Sequence, residues 1–200
     1  MALLVLTGYF YSSSQVNLKA KLNVFFVSIV SLLVFFGSLA WINEYYTKPI
    51  LKLQRPSHVY MLDKIGDLQK IDAVYQLSIK EREVFFEKLI AANPVHFQNI
   101  DVDIQNHWIE EAGFSFPSGH TFNAFLFAML IAYAIYYNRS RPALRKLYFL
   151  PFVWALFVGI SRVSMGAHSA LDVSCGATLG IAIGYIFLRI DFTRLMLTRK

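Results

Sequence analysis

Cysteine is almost absent from this sequence: of its 200 residues, only Cys175 is one. An intrachain disulfide framework and a cysteine-cluster zinc site are both excluded. Charge is scarce too, at 16% of residues, where an ordinary soluble domain carries about 25%. Acids are the scarcer sign, 13 against 19 Lys and Arg. Repeats and low-complexity tracts are missing. What fills the chain is apolar: 56% hydrophobic residues, 16% aromatic residues and a mean hydropathy of +0.45. This composition excludes a disordered chain and argues against a solvated globule. The net charge of +6 could suit nucleic acid, but its distribution points elsewhere. Residues 43–116 hold 11 of the 13 acids and 8 of the 19 basic residues, while the apolar remainder is flanked by Lys and Arg. Membrane proteins divide charge in this way, and no nucleic-acid partner is expected.

Four apolar stretches are long enough to span a bilayer. Residues 22–42 would extend about 31 Å as a helix, against a hydrocarbon core of about 30 Å. The others are 117–137, 142–163 and 168–190. In the third, Arg145 and Lys146 would snorkel to the interface, and Pro151 is expected to kink the helix. Lys19 and Lys21 precede the first span. Arg139, Arg141, Arg145 and Lys146 separate the second and third, and Arg189, Arg194, Arg199 and Lys200 follow the fourth. All three clusters fall on one side if the spans alternate. That side is cytoplasmic, so 43–116 and 161–172 face outward. Residues 2–11 are apolar but span only about half a bilayer. They read as the second half of a membrane helix whose start lies outside this chain. The outer insert, about 57–116, is expected to be helical in part. Ser78-Ile-Lys-Glu81 is a capping box opening a helix over 79–92, stopped at Asn93-Pro94. A second helix is expected near 100–112. The fold class is therefore all-α: a polytopic membrane bundle of four complete spans, an N-terminal half-span and a small helical outer insert, in a single domain over 1–200.

Polar residues collect at the outer ends of these spans. Lys48 and Arg55 are seven residues apart, so a helix would carry both on one face, with Lys52 beside them. Ser118 and Gly119 open a helix, where unpaired N–H groups and the dipole favour an anion. Arg162 offers a fork for phosphate oxygens. His168 and Asp172 are i,i+4 partners. The carboxylate can hold one ring nitrogen as N–H and leave the other as a nucleophile. His120 is a separate imidazole able to protonate a leaving group. An anion cradle with one nucleophile and one acid is what phosphoryl transfer requires. Each residue also has a plainer reading. Lys48 and Arg55 could be interface anchors, Arg162 and Asp172 a structural ion pair, and Lys52 a snorkelling lysine. His58, His96 and His107 read as ordinary histidines of the outer insert. Trp108 suits an aromatic belt or a lipid head group, and Cys175 a small core residue. Gly176-x3-Gly180-x3-Gly184 reads as a helix-packing seam.

Taken in order, Lys48-x6-Arg55-Pro56, Pro117-Ser118-Gly119-His120 and Ser161-Arg162-x5-His168-x3-Asp172 resemble the three signature motifs of the type 2 phosphatidic acid phosphatase superfamily. All eleven specified positions match. The approach to the second motif, His107-Trp108-x-x-Glu111-x-Gly113-Phe114-x-Phe116, resembles the bacterial phosphatidylglycerophosphatase B branch. The resemblance implies a six-span core of which the four spans here are the last four. It also implies roles: His168 as the nucleophile that becomes a phosphohistidine, His120 as general acid and Asp172 as the residue orienting His168. Lys48, Arg55, Ser118, Gly119 and Arg162 would bind phosphate. No metal or other cofactor is implied. The expected partners are membrane lipids and a phospholipid or polyprenyl-phosphate substrate, with no obligatory protein partner. The expected place is the bacterial inner membrane, multi-pass, with the site at the periplasmic face. The expected activity is hydrolysis of phosphatidylglycerophosphate, with undecaprenyl pyrophosphate or phosphatidic acid as further substrates. A lipid phosphotransferase using the same histidine, or a non-catalytic lipid-binding protein, are the alternatives.

Overall fold

The computed structural model describes residues 18–136 and 142–189. Residues 2–11, Arg139, Arg141, Arg194, Arg199 and Lys200 lie outside the described residues, as do the side chains of Lys19 and Lys21. Among the described residues every regular element is helical, in agreement with the all-α expectation. Helix α1, Leu18–Ile42, contains the first expected span. It runs on through a π-helical turn, Asn43–Thr47, and one further turn, Lys48–Leu51. Lys52 then adopts a left-handed conformation (φ 50°) and ends it. The insert follows as α2 (Pro56–Lys64), α3 (Ile71–Gln76), α4 (Ile79–Ala92) and α5 (Val102–Glu110). The chain closes with α6 (Gly119–Tyr136), α7 (Leu150–Ser164) and α8 (Ala170–Arg189).

By length and composition α6, α8 and the segment Ala143–Ser164 that ends in α7 are able to cross a membrane. Two boundaries differ from expectation. Residues Pro142–Leu147 form a 3₁₀ segment, not the start of the α-helix. Pro151 sits in the first turn of α7 and does not kink it. At that position the missing N–H would have had no helical partner anyway.

Small residues let α6 and α8 come together. A Cβ added at Gly176 would lie 2.6 Å from the Ser118 carbonyl oxygen, and one at Gly180 would run into the Phe122 carbonyl. The backbones of α6 and α8 are therefore in contact along the glycine seam. Ala124, Ala128 and Ala155 do the same between α6 and α7. Helix α1 leans on this pair through Phe36 against Phe127 (6.0 Å between rings) and Phe35 against Phe187 (4.7 Å).

The insert has its own core of Met61, Leu62, Val74, Phe86, Phe97 and Trp108. The capping box forms: Ser78 Oγ accepts from Glu81 N–H while the Glu81 carboxylate accepts from Ser78 N–H, and α4 covers 79–92 as expected. The buried stripe of α4 is Arg82, Phe86 and Leu89. Its first member is a cation, which is why the apolar residues alone show no clean stripe. The Arg82 guanidinium lies 4.1 Å from the Tyr75 ring and donates to the carbonyls of Tyr75, Leu77 and Ala112.

Candidate active site

The helix that was to carry Lys48, Lys52 and Arg55 on one face stops at Leu51, so that expectation is corrected. Lys48 is buried in its last turn and pairs with Glu44 at 2.6 Å. Burial and the nearby Arg55 push its pKa below the ordinary lysine value, against the pull of Glu44. Lys52 turns outward and is exposed. Arg55 is extended and comes before Pro56, which opens α2. That break swings its side chain inward to 3% exposure, where Nε donates to Gly113 O and Nη1 to Ala167 O. Lys48 and Arg55 thus reach one place by different routes.

His168 lies in the turn between α7 and α8 and is 2% exposed. Its Nε2 faces Arg55 Nη1 at 3.5 Å. Its Nδ1 is 3.7 Å from the Asp172 carboxylate, too far for a hydrogen bond. Ser115 fills the gap: its hydroxyl donates to Asp172 Oδ2, and its oxygen stands 3.3 Å from His168 Nδ1, placed to accept from an N–H there. Burial and the Arg55 charge lower the His168 pKa, so the imidazole is neutral near pH 7 with Nε2 available as a lone pair. Asp172 is fixed further by the Ser169 N–H at 2.7 Å.

Ser118 departs from its expected role as an open anion site. It is fully buried, and its N–H donates to the Asp172 carbonyl at 3.1 Å. It joins α6 to α8 below the cavity floor, while Gly119 and the exposed His120 line the cavity. The cavity holds about 340 Å³ and is also lined by Lys48, Arg55, Glu111 and His168. An apolar groove of about 590 Å³, walled by α1, α6 and α7, shares His120 and Asn123 with it.

Arg162 is buried behind this cavity beside Glu111 (2.5 Å) and His107 (2.9 Å). Glu111 also meets Arg55 Nη1 at 2.5 Å, so one carboxylate bridges the two arginines. Partial burial would raise the Glu111 pKa, but the charges of Arg55 and Arg162 hold it at about 2. Among the described residues, no group of three or more His, Cys, Asp or Glu side chains is placed to share a metal ion.

The sequence model of the PAP2 superfamily matches residues 20–196. This chain belongs to the PAP2 superfamily. Among relatives of this PAP2 protein, a phosphatidylglycerophosphatase B of Escherichia coli is 27% identical over 183 residues, 90% of this chain and 65% of that one. A phosphatidylglycerophosphatase B of Bacillus subtilis is 38% identical over 87 residues, 42% of either chain. A lipid A 1-phosphatase of Porphyromonas gingivalis is 40% identical over 70 residues, 35% of this chain and 15% of that one. The chain spans less than two thirds of the length of these relatives.

Five residues in and around this PAP2 protein's site have roles that the sequence reading did not assign. Ser115, between two phenylalanines, carries no chemical signal in the sequence. Glu111 could have been found by asking what neutralises Arg55 and Arg162. His107 is not an ordinary insert histidine, since it touches Arg162. Nor is His58, which is fully buried with Nδ1 2.8 Å from Tyr75 Oη and Nε2 3.1 Å from Trp108 O. Trp108 is likewise not a belt residue: it is buried and donates through Nε1 to Met165 O.

Proposed function

We propose that this PAP2 protein is an integral-membrane lipid phosphatase working through a phosphohistidine at His168. Its first substrate is phosphatidylglycerophosphate, with undecaprenyl pyrophosphate and phosphatidic acid as further ones. The names of the E. coli and B. subtilis relatives support this lipid. The observation that carries the chemistry is the orientation of His168. Nδ1 is turned toward Ser115 and Asp172, and Nε2 toward the cavity beside Arg55.

Nε2 attacks phosphorus and the P–O bond to the lipid breaks. His120 gives its proton to the departing oxygen. A water then loses a proton to His120 and attacks the phosphohistidine, releasing phosphate and restoring His168. Lys48, Arg55 and Gly119 stabilise the charge on the equatorial oxygens, Arg162 acts from behind the cavity through Glu111 and His107 instead of on the phosphate itself, and Ser118 holds Asp172 in place from below. The protein crosses the bacterial inner membrane four times within this chain, with α1 as the first span and the insert and site at the periplasmic face.

The test is phosphate release from defined lipids in detergent, with and without EDTA. Release is expected from phosphatidylglycerophosphate, unchanged by EDTA and absent in His168→Ala. Release that persists without His168 overturns the mechanism, and loss in EDTA restored by Mg²⁺ overturns its metal independence.

A further inference from the structure

Asn123 stands at the junction of the two cavities. It follows His120 by one turn of α6, and residues three apart are neighbours on a helix surface. Together with His120 it lines both the polar cavity and the apolar groove. Its amide oxygen is buried without a hydrogen-bond partner. A buried acceptor left unpaired is costly, on the order of 1–3 kcal/mol. A polar side chain within a membrane-crossing segment also usually serves a ligand or a pathway. The walls on either side say what kind of ligand bridges this point. On one side are Lys48, Arg55 and His168; on the other are Leu33, Phe36, Phe127 and Trp154. An amphiphile with an anionic end and a hydrocarbon end fits both, and its linking atoms pass Asn123.

We propose that Asn123 reads the leaving group: with phosphate in the polar cavity and the lipid's own chain in the groove, its Oδ1 accepts a hydrogen bond from a hydroxyl on the second carbon from the ester oxygen. This rests on the lipid phosphatase reading and refines it. A phosphorylated glycerol headgroup carries that hydroxyl. Phosphatidic acid carries an acyl ester there and has no proton to give. Asn123 thus favours polyol phosphates on lipids over phosphatidic acid. The groove takes the substrate's hydrocarbon, because it shares His120 and Asn123 with the cavity that holds the phosphate.

The experiment uses phosphatidylglycerophosphate and its analogue with 1,3-propanediol in place of the headgroup glycerol, which differ by that one hydroxyl. The wild-type protein is expected to favour the hydroxylated lipid roughly 5- to 10-fold in kcat/KM. In Asn123→Leu the ratio is expected to fall to about one. Because each ratio is taken within one protein, loss of folded material cancels. Equal rates for the two lipids in the wild type overturn the inference without any variant. So does a preference that survives in Asn123→Leu. No release from either lipid by the wild type overturns the phosphatase reading together with this one. Glycerol 3-phosphate, which has a hydroxyl but no chain, is expected to be at least about 10²-fold poorer in kcat/KM. Equality with the lipid would assign the groove to another occupant, a protein helix or a second copy of this chain, and overturn the placement of the tail.

Discussion

Ser115 donates its hydroxyl hydrogen to the carboxylate of Asp172 and stands as the link between that carboxylate and His168. The backbone N–H of Ser115 is itself pinned to Leu53 O at 2.8 Å, so the link is held by the segment that also presents Arg55. If the proton on His168 Nδ1 is fixed through Ser115, Ser115→Ala leaves the tautomer without its acceptor. Hydrogen bonds to charged groups contribute about 1.5–3 kcal/mol, so kcat is expected to fall roughly 10- to 100-fold with KM little changed. Steady-state kinetics on one lipid decides it. An unaltered kcat would mean that Asp172 acts on His168 without Ser115.

The two histidines differ in surroundings, and this separates their roles. His168 is buried against Asp172 and Arg55; His120 is exposed at the mouth shared by cavity and groove. A nucleophile is needed for every substrate. A general acid is needed chiefly when the leaving oxygen is basic. His168→Ala is therefore expected to be inactive on a lipid phosphate and on p-nitrophenyl phosphate alike. His120→Ala is expected to lose roughly 10²–10⁴-fold on the lipid and clearly less on the aryl ester. Equal losses on both substrates would remove the general-acid role from His120.

Much of the site was legible in the sequence because motif spacing and helix ends share a length scale. His168 and Asp172 are four residues apart and meet across the turn that opens α8, and a capping box such as Ser78–Glu81 is decided within four residues. What stayed hidden depends on distant chain segments. Ser115 and Asp172 are 57 residues apart, and Glu111 and Arg55 are brought together by the closing of the insert. The helix expected to unite Lys48 and Arg55 failed for a local reason that the sequence did contain: a residue before proline is driven from the α region, and Arg55 precedes Pro56.

Glu111 holds the place between Arg55 and Arg162 that an incoming phosphate would also seek. At about 4 Å and an effective dielectric near 20, a unit charge pair interacts by roughly 4 kcal/mol. Glu111→Gln removes a repulsion against a dianion and at the same time strips two buried guanidiniums of their counter-charge. The two effects have opposite readouts. Inhibition by inorganic phosphate is expected to tighten several-fold, while the melting temperature in detergent falls. Weaker phosphate inhibition in the variant would mean that Glu111 aids anion binding by holding the arginines in position.

His58 gives the insert a pH dependence whose sign follows from its burial. It is fully enclosed, stacked on Phe86 with 4.1 Å between ring centroids. It faces Tyr75 Oη at Nδ1 and Trp108 O at Nε2. The Trp108 carbonyl requires N–H at Nε2, so Nδ1 accepts from Tyr75, whose oxygen in turn accepts from the Arg55 N–H. Protonating Nδ1 would break this chain. Burial, helped by the Arg55 and Arg82 charges and opposed by the Trp108 carbonyl, lowers the His58 pKa from 6.5 to about 3. The folded form therefore binds fewer protons than the unfolded form between these values. The contribution is complete above pH 6.5 and is lost progressively as pH falls toward 3. At about 1.4 kcal/mol per pH unit, the full span is worth on the order of 5 kcal/mol. The melting temperature of the wild type, followed by tryptophan fluorescence in detergent, is expected to drop steadily from pH 6.5 to pH 4. His58→Gln is expected to start lower at pH 7.5, because the ring packing is lost, and to show a shallower slope. Arg55 hangs from the same chain, so KM for lipid should rise along with that loss, before kcat changes. A variant with the same slope as the wild type would place the acid sensitivity at another group.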